Sequence, residues 1–342
     1  MEGLKVAVVT TRSTKGESGG AERFYDALVA AFRQQGHCAH ELPVIADEPD
    51  FDQIKRNYLA CYDLDVSSFD LVVSTKAPTW LVRHPRHVCY LVHTIRVFYD
   101  MFDTTFPDKQ PELLAQRQFI HDIDSAALSS PRCRAIFSIG HEVSQRLREW
   151  NKLYAEVLHP PLWSDHFHCG EFGDYLLMPG RLHTWKRVDL AIRAMQCLKS
   201  PLRLVITGTG EAEVELRALA AGDPRIEFRG RVTDDELTEL YAGALAVPFL
   251  PLREDYGYVT LEAFASGKPV VTCTDSGEAA SIVGVTGGGY VVPPQPLAIA
   301  NAWNRLRDNP VLASKMGKLG HTWVAELSWR KIVERLVLAA GN

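Results

Sequence analysis

Apolar and polar positions repeat in two ways along the 342 residues of this chain. Short β-branched apolar runs predict strands, and between them apolar residues spaced three or four apart predict helices. The predicted strands cover residues 5–10, 70–74, 88–93, 135–139, 175–178, 202–207, 226–229, 244–250 and 270–273. The predicted helices cover residues 21–35, 141–150, 186–198, 211–221, 234–242 and 261–266, and from residue 296 onward the chain is mostly helical. Alternating strands and helices indicate an α/β fold built on parallel sheets with right-handed crossovers.

The alternation is interrupted between residues 156 and 173, where two adjacent prolines and a glycine lie among histidines and aromatic residues. Such a composition is typical of a linker. A chain of this length is also comfortable for two domains. We therefore expect one domain over residues 1–158, a second over 159–325, and a C-terminal helix over 326–342.

Composition and charge exclude some classes of protein. The formal net charge is −5, so no overall basic surface indicates a nucleic-acid partner. The seven cysteines are scattered without CxxC pairs and no signal-peptide pattern opens the chain, so we expect reduced thiols and a cytoplasmic location. No apolar run approaches the roughly 18 residues that span a bilayer, which leaves only peripheral membrane association open.

Two carboxylates, Glu254 and Glu262, follow the strand predicted over residues 244–250. The carboxyl edge of a parallel sheet is where open α/β folds bind ligands. Glu262 falls near the first turn of the helix predicted over residues 261–266, where a carboxylate can bind the two hydroxyls of a ribose. Glu254 lies on the loop before that helix. A sugar attached to a diphosphate bound at this edge of the sheet would project close to it. The alternative is that Glu262 is a helix-terminal carboxylate favoured only by the dipole.

Two cations, Arg181 and Lys186, lie between the strand predicted over residues 175–178 and the helix predicted over residues 186–198. Free amides and the macrodipole at a helix N-terminus favour anions. Together with two cations they can neutralise a diphosphate without a metal ion. The alternative is a solvated basic turn, because exposed basic residues are common.

Two glycine-rich segments follow predicted strands. Residues 16–22 follow the first strand and include Gly19 and Gly20, and Gly208 opens a Gly-Thr-Gly-Glu segment after the strand that ends at residue 207. Glycines let a backbone approach phosphate oxygens closely, and the second segment can line a nucleoside pocket. The first segment is neither a GxGxxG nor a Walker motif, so a flexible turn is the alternative there. The second is a generic motif, because glycine punctuates many turns between strands and helices.

Four segments taken in order, GRLHTWKRVDLAI, VITGTGE, IEFRGRV and REDYGYVTLEAFASGKPVV, resemble the C-terminal domain of family 4 retaining glycosyltransferases with the GT-B fold. The resemblance spans about residues 175–290, and the glycine-rich loop near the N-terminus extends it to the first domain. It implies two Rossmann-like domains whose parallel sheets face each other across a cleft. It also implies that the first domain binds the acceptor, that the second binds a nucleotide-sugar, and that the last helix crosses back to the first.

The resemblance assigns roles to individual positions. Arg181 and Lys186 match residues that bind the donor diphosphate, Glu254 matches a carboxylate at the transferred sugar, and Glu262 matches one that holds the ribose. His93 resembles a histidine used near the transferred sugar, although a strand-end histidine can also be a partly buried polar group. The other donor-binding positions are Gly19, Gly20, Gly208, Arg231, Val232, Tyr256, Gly257, Tyr258 and Val259. The candidate acceptor-binding positions are Arg96, Tyr99 and Asp100.

The chain departs from the commonest family pattern in two places. Asp255 stands in EDYGY where the more frequent E-G-F-G form has a small residue, and the linker reads LHPPLW instead of an Asn-Gly-Val form. Both departures are familiar from bacterial polysaccharide-assembly members of the family. They leave the identity of the transferred sugar undecided, but they do not change the expected reaction.

The sequence gives less support to a metal site than to a diphosphate site. His87, Cys89 and His93 share strand parity, but Cys89 lies in an apolar run and fits a buried thiol. A second cluster lacks recognised zinc spacing: His159, His166, His168 and Cys169. Two acidic pairs resemble the DxD of metal-dependent glycosyltransferases but are interpreted as solvated turns: Asp63 with Asp65, and Asp122 with Asp124. We therefore expect neither a metal nor a cofactor.

The expected reaction is the retaining transfer of a hexose from a nucleoside diphosphate sugar to a hydroxyl of a saccharide or a lipid-linked saccharide. A UDP-hexose such as UDP-glucose is the favoured donor, and GDP-mannose comes next. We expect the protein in the cytoplasm or at the inner face of the cytoplasmic membrane. Two alternatives stay open: a nucleotide-sugar epimerase or hydrolase on the same fold, and a non-catalytic nucleotide-sugar-binding subunit. A Rossmann dehydrogenase is disfavoured because the GxGxxG motif is missing.

Overall fold

The computed structural model of the chain describes residues 3–14, 19–48 and 50–341. The chain divides into two compact units. The first holds the residues up to Trp163 together with those from Ser328 onward, and the second holds Ser164–Leu327. Both units are built from parallel strands that alternate with helices, which confirms the α/β class predicted from the sequence pattern.

The first unit contains a parallel sheet of six strands in the order β2-β1-β3-β4-β5-β6. The strands are β1 (Lys5–Arg12), β2 (Cys38–Ile45), β3 (Leu71–Lys76), β4 (His87–His93), β5 (Ile136–Ser138) and β6 (Glu156–Val157). The helices between them are α1 (Gly20–Gln34), α2 (Phe51–Tyr62), α3 (Phe102–Thr105), α4 (Pro111–Leu128) and α5 (His141–Trp150). Val6 to Val9 of β1 are fully buried, because a central strand covered on both faces must be apolar throughout.

The second unit contains two parallel sheets of three strands, β7-β8-β9 and β10-β11-β12. The strands are β7 (Tyr175–Pro179), β8 (Arg203–Thr207), β9 (Ile226–Gly230), β10 (Val247–Pro248), β11 (Val270–Cys273) and β12 (Gly289–Val292). A parallel bridge between Leu176 and Ala246 joins the two sheets, so their carboxyl ends lie along one edge.

Seven helices of the second unit cover its sheets: α6 (Val188–Gln196), α7 (Glu213–Ala220), α8 (Asp234–Gly243), α9 (Tyr258–Ala265), α10 (Glu278–Thr286), α11 (Pro296–Asp308) and α12 (Pro310–Ala325). Ile192 of α6, Leu204 of β8 and Trp303 of α11 belong to one core cluster and are fully buried. Packing of the helices on the strands in this way fixes the loops at the carboxyl edge.

The last helix, α13 (Trp329–Gly341), belongs to the first unit. The Trp329 ring lies 5.7 Å from that of Phe24 of α1, and its indole nitrogen donates a 3.2 Å hydrogen bond to the carbonyl of Leu162. Arg335 forms a 2.6 Å ion pair with Glu156 of β6. The final segment is therefore bound to this unit by aromatic packing, by a hydrogen bond and by charge.

Several element predictions need correction. Helix α9 begins at Tyr258 and not at residue 261, because Gly257 takes a positive φ of 82° and caps the helix earlier. Helix α6 begins at Val188 and not at residue 186, and β10 pairs only over Val247–Pro248 instead of residues 244–250. Part of the predicted glycine-rich loop, residues 16–18, lies outside the described residues.

Within the part of the chain that the structure describes, no helix has both the length and the apolar character that crossing a bilayer requires.

Candidate active site

The turn after β7 carries the two predicted cations. Arg181 is exposed, and among the described residues its guanidinium has no hydrogen-bond or ion-pair partner. Lys186 ends a 3-10 turn, and α6 begins only at Val188 because Arg187 takes a left-handed conformation with φ 51°. Lys186 therefore lies on a turn ahead of the helix, and not in the helix as the sequence predicted.

Lys186 and Glu254 form an ion pair. The Lys186 Nζ lies 2.7 Å from Glu254 Oε2, and the side chains are 31% and 20% exposed. The same nitrogen lies 5.5 Å from the centre of the Phe249 ring. The turn after β7 and the loop after β10 thus bring a cation and a carboxylate together at one sheet edge, although 68 positions separate them in the chain.

The backbone of Glu254 is hydrogen-bonded to the turn that follows β11. Its amide donates to the carbonyl of Ser276 at 3.3 Å, and its carbonyl accepts from the amide of Glu278 at 2.9 Å. Gly277 lies between these partners with φ 63°, and a Cβ there would lie 2.5 Å from the Glu254 carbonyl oxygen. Only glycine allows this close approach, so Gly277 fixes the loop that presents the carboxylate.

Helix α9 starts at Tyr258, the last residue of the Tyr-Gly-Tyr segment. A Cβ on Gly257 would lie 2.5 Å from the Phe249 ring, so the glycine lets the helix start close to the end of β10. Tyr256 is buried, and its ring meets that of Tyr258 edge to face at 5.2 Å. The amides of Tyr258 and Val259 belong to the first turn of α9, where the dipole attracts anions.

Glu262 lies in the second turn of α9, not in the first as the sequence predicted. Its side chain is only 6% exposed and accepts a hydrogen bond from the hydroxyl of Tyr241 in α8. Because the helix starts at Tyr258, Glu262 is too far from its N-terminus to be a helix-terminal carboxylate that only the dipole favours. Sequence reasoning missed Tyr241, because a tyrosine on the apolar face of a helix gives no sign of a polar partner.

The glycine-rich segment after β8 packs against the turn after β7. A Cβ on Gly208 would lie 2.0 Å from the carbonyl oxygen of Gly180, and the Gly208 amide donates a 2.7 Å hydrogen bond to Gly230. Gly208 is therefore required by close backbone packing, whatever its role with a ligand. Arg231, which is exposed, and Val232, which is half-buried, follow at the end of β9.

Six predicted site residues belong to the first unit, and three of them are His93, Gly19 and Gly20. His93 ends β4 and is half-buried. Gly19 is the N-cap of α1, and its amide donates a 2.8 Å hydrogen bond to the carboxylate of Glu22. Gly20 is the first residue of α1. His93 thus lies at the carboxyl end of β4, Gly19 and Gly20 open the helix that follows β1, and the roles of all three stay predictions.

The side chains of the predicted acceptor residues Arg96, Tyr99 and Asp100 are buried and bind protein partners, and their role with an acceptor stays a prediction. Asp100 has a fully buried side chain that pairs with Arg96 and, at 2.8 Å, with Arg146. The hydroxyl of Tyr99 donates a 2.7 Å hydrogen bond to Asp124. These side chains hold the loop after β4 in place, because buried charges and hydroxyls require partners from the protein itself.

Asp124 also needs correction, since it lies on α4 with no exposure and not in a solvated turn. Its Oδ1 accepts from the Tyr58 hydroxyl at 2.7 Å and from the Trp80 indole at 2.9 Å, and its Oδ2 accepts from Tyr99. Burial raises the pKa of Asp124 to about 6 against these hydrogen bonds, which favour the carboxylate. Asp124 is therefore a structural residue of the first unit.

The alternative metal residues on β4 have protein partners. The ring nitrogens of His87 lie 2.8 Å from the Ser74 hydroxyl and 3.2 Å from the carbonyl of Arg132. Burial lowers the pKa of His87 to about 4, so the ring is neutral at physiological pH. Burial also raises the pKa of the Cys89 thiol, which is fully buried. Both side chains are accounted for by packing and hydrogen bonding.

Part of the second unit matches known proteins in sequence. Residues 173–309, within the second unit, match the family model described as "Glycosyl transferases group 1". The D-rhamnosyltransferase WbpZ of Pseudomonas aeruginosa is 30% identical over 42% of this chain and 39% of that protein. A GDP-mannose-dependent phosphatidylinositol monomannoside mannosyltransferase of Corynebacterium glutamicum is 32% identical over 46% of this chain and 44% of its own length. The chain thus spans less than half the length of these relatives.

Solved structures share the fold over nearly the whole chain. Sucrose-phosphate synthase of Thermosynechococcus elongatus matches with a TM-score of 0.74 at 18% identity, covering 98% of this chain and 99% of that one. HepE of Anabaena, solved with UDP and glucose, matches with a TM-score of 0.68 at 13% identity, covering 97% and 99%. The chain therefore has the GT-B fold of glycosyltransferases, and its residues 173–309 carry the sequence pattern of the group 1 glycosyl transferase family.

Proposed function

We propose that the chain is a glycosyltransferase that moves a hexose from a nucleoside diphosphate sugar to a hydroxyl acceptor with retention of the anomeric configuration. The observation that carries the proposal is the ion pair of Lys186 with Glu254 at one edge of the second unit. It joins a cation suited to a phosphate and a carboxylate suited to sugar hydroxyls. The turn that carries Lys186 also carries Arg181, whose guanidinium has no partner among the described residues. The group 1 family match over the same residues supports the same activity.

The diphosphate is proposed to bind among positive charges. Arg181 and Lys186 supply two cations, and the first turn of α9, at Tyr258 and Val259, adds amides at the positive end of a helix dipole. These groups balance the charge of the diphosphate. The proposal therefore includes neither a metal ion nor a cofactor.

The two sugars of the donor are proposed to bind at the two carboxylates. Glu254 accepts hydrogen bonds from hydroxyls of the transferred hexose once Lys186 turns to the phosphate. Glu262 accepts from the ribose hydroxyls, and the hydroxyl of Tyr241 holds its carboxylate in place. Gly208 and the Arg231-Val232 segment lie at the ends of the neighbouring strands, where the base is proposed to bind.

The proposed reaction is a displacement on one face of the sugar. The bond between C1 of the hexose and the diphosphate oxygen breaks, and a bond between C1 and the acceptor oxygen forms on the same face. The acceptor proton passes to an oxygen of the leaving diphosphate. Arg181 and Lys186 stabilise the charge that develops there, so losing either is expected to cost on the order of 10²-fold in rate.

The first unit is proposed to bind the acceptor, a saccharide or a lipid-linked saccharide. His93 at the end of β4 is proposed to hydrogen-bond a sugar hydroxyl or to ease deprotonation of the acceptor. Gly19 and Gly20 at the start of α1 are proposed to let the backbone approach the donor closely. Action on a lipid-linked acceptor would take place at the inner face of the cytoplasmic membrane.

Two donor classes enter the test first. HepE was solved with UDP and glucose, and the name of the Corynebacterium glutamicum relative specifies GDP-mannose. We propose a UDP-hexose ahead of GDP-mannose, and both belong in the panel. A thermal-shift screen of nucleotide sugars identifies the donor, because a ligand that binds only the native state raises the apparent melting temperature.

The donor found in this way is then incubated with candidate acceptors, and nucleotide release and product are followed by NMR. Glycosyl transfer requires nucleotide release that depends on the acceptor, and retention requires the same anomeric configuration in donor and product. Conversion of the donor without any acceptor indicates an epimerase or a hydrolase instead. Binding without turnover, for every acceptor tried, indicates a binding subunit.

A further inference from the structure

Arg187 has a backbone conformation that its residue type disfavours. Its φ and ψ are 51° and 44°, in the left-handed region that is unfavourable for a residue with a Cβ. A glycine at this position would avoid that cost. Such strain persists only where the surrounding contacts over-determine the residue, and the side chain of Arg187 makes contacts of this kind.

The guanidinium of Arg187 connects two other loops. Its Nε donates to the carbonyl of Leu250 at 2.6 Å, and its Nη2 donates to the carbonyl of Pro251 at 2.9 Å. Both terminal nitrogens bind the carboxylate of Asp275, at 2.8 and 2.7 Å, in a fork-to-fork pair. One side chain therefore ties the turn after β7 to the loop after β10 and to the turn after β11.

The same loops carry the ion pair of the proposed site. Lys186 directly precedes Arg187, and the carbonyl of Trp185 accepts from the amide of Leu252 at 2.8 Å. The carbonyl of Asp275 accepts from the amide of Arg253 at 2.9 Å, next to Glu254. Arg187 is thus the neighbour of Lys186 in the chain. Asp275 is the neighbour of Ser276, whose carbonyl accepts a hydrogen bond from the amide of Glu254.

We propose that Arg187 and Asp275 are a positioning pair, which sets the separation of Lys186 and Glu254 without touching the donor. This inference rests on the proposed function, because its effect on turnover requires the transfer reaction. A displacement of about 1 Å at a reacting centre can cost on the order of 10²-fold in rate. The planar fork of arginine is needed here, since a lysine ammonium cannot form the same bidentate contact.

The test compares R187G with a matched control in the same unit. R187G removes the guanidinium and leaves a residue that suits the left-handed backbone, so we expect it to fold. Arg225 makes a similar bidentate pair with Asp223 and binds the carbonyls of Met195, Leu198 and Ser200, so R225G removes a comparable set of bonds away from the proposed site. D275N is the second variant, because it weakens the fork from the opposite side.

R187G and D275N are expected to lower kcat between about 10- and 100-fold with little change in the KM for donor, whereas R225G keeps its kcat and loses melting temperature. Crystal structures of the variants give a readout without turnover. We expect Lys186 Nζ and Glu254 Oε2 to separate beyond about 4 Å in R187G, the limit of an ion pair. A wild-type kcat in R187G, or a Lys186–Glu254 pair unchanged at 2.7 Å, overturns the inference.

The transfer activity of the wild-type protein shows whether the positioning role or the proposed function itself has failed. If wild type transfers no sugar from any donor, the proposed function fails, and the separation of Lys186 and Glu254 in the R187G crystal still decides whether the pair positions them. If wild type transfers sugar and R187G does so equally well, the positioning role alone fails.

Discussion

Lys186 and Glu254 neutralise each other across 2.7 Å, although the proposed function assigns one to the diphosphate and the other to the transferred sugar. Donor binding must therefore replace this ion pair with two new sets of contacts. A bare nucleoside diphosphate offers a partner to Lys186 but none to Glu254. The pair thus favours the intact donor over the nucleotide that leaves after transfer.

Removing the carboxylate should reverse this preference. We expect E254Q to bind UDP or GDP more tightly, by up to about fivefold, because a partly exposed ion pair contributes no more than about 1 kcal/mol. Transfer should fall on the order of 10²-fold, since the sugar hydroxyls lose the charged carboxylate to which they donate. Calorimetric titration measures the affinity and nucleotide release measures the rate. E213Q, which removes a carboxylate paired with Arg217 elsewhere in the unit, is the control. Unchanged or weaker nucleotide binding in E254Q contradicts this account of the pair.

Substitution of Arg181 is expected to lower turnover without changing the melting temperature. The side chain is exposed and has no partner among the described residues, so R181A should leave the melting temperature within about 2 °C of wild type. Turnover should fall on the order of 10²-fold, because one of two cations at the diphosphate is lost. R193A, on the exposed face of α6, is the matched control and should keep its rate. Near-normal turnover in R181A would remove the diphosphate role.

The hydrogen bond from Tyr241 to Glu262 joins a hydroxyl to a buried carboxylate. We expect Y241F to lower the free energy of unfolding by about 1.5–3 kcal/mol, the usual range for a hydrogen bond to a charged group. Y175F, which loses a 2.7 Å hydrogen bond to the carbonyl of Leu240, should lose about 1 kcal/mol. Urea unfolding measures both. The nucleotide sugar should also raise the melting temperature of E262Q less than that of wild type, and equal shifts would argue against a ribose contact.

Asp124 predicts a pH dependence of stability in the first unit. Its pKa is raised from 3.8 to about 6, so the folded state binds its proton more tightly than the unfolded state does. The stabilising contribution is present below pH 3.8 and is lost as the pH rises through about 6. The free energy of unfolding of wild type relative to D124N should fall by up to about 3 kcal/mol between pH 4 and 7. D122N, an exposed change on the same helix, should show no such trend. A flat difference would mean that Asp124 is ionised in this range without cost.

The sequence predicts the parts of this structure that depend on neighbouring residues. The apolar run that becomes β7 and the glycine that follows it mark a strand and a turn that carries Arg181, whereas the apolar spacing places Lys186 in the helix that follows and not on that turn. Parallel strands require their following loops to lie at one edge, so the proximity of this turn to Glu254 could also be expected.

Other features depend on residues far apart in the chain. Asp124 has the spacing of an acidic turn, and only its contacts with Tyr58, Trp80 and Tyr99 place it in the interior. Arg187 is expected to continue a helix, yet its side chain reaches Asp275, 88 positions away, and the backbone bends to allow it. Local propensity cannot anticipate such contacts, because their energy comes from tertiary partners.

Helix α13 determines the order in which the chain can complete its structure. The second unit is continuous from Ser164 to Leu327, whereas the first unit also includes α13, whose half-buried Trp329 packs on Phe24 and whose Ile332, Val333 and Leu336 are buried. A ribosome makes the N-terminal sheet first but delivers the helix that covers it last. The first unit therefore completes its structure only after α13 has been synthesised, because the ring of Phe24 packs against Trp329 of that helix.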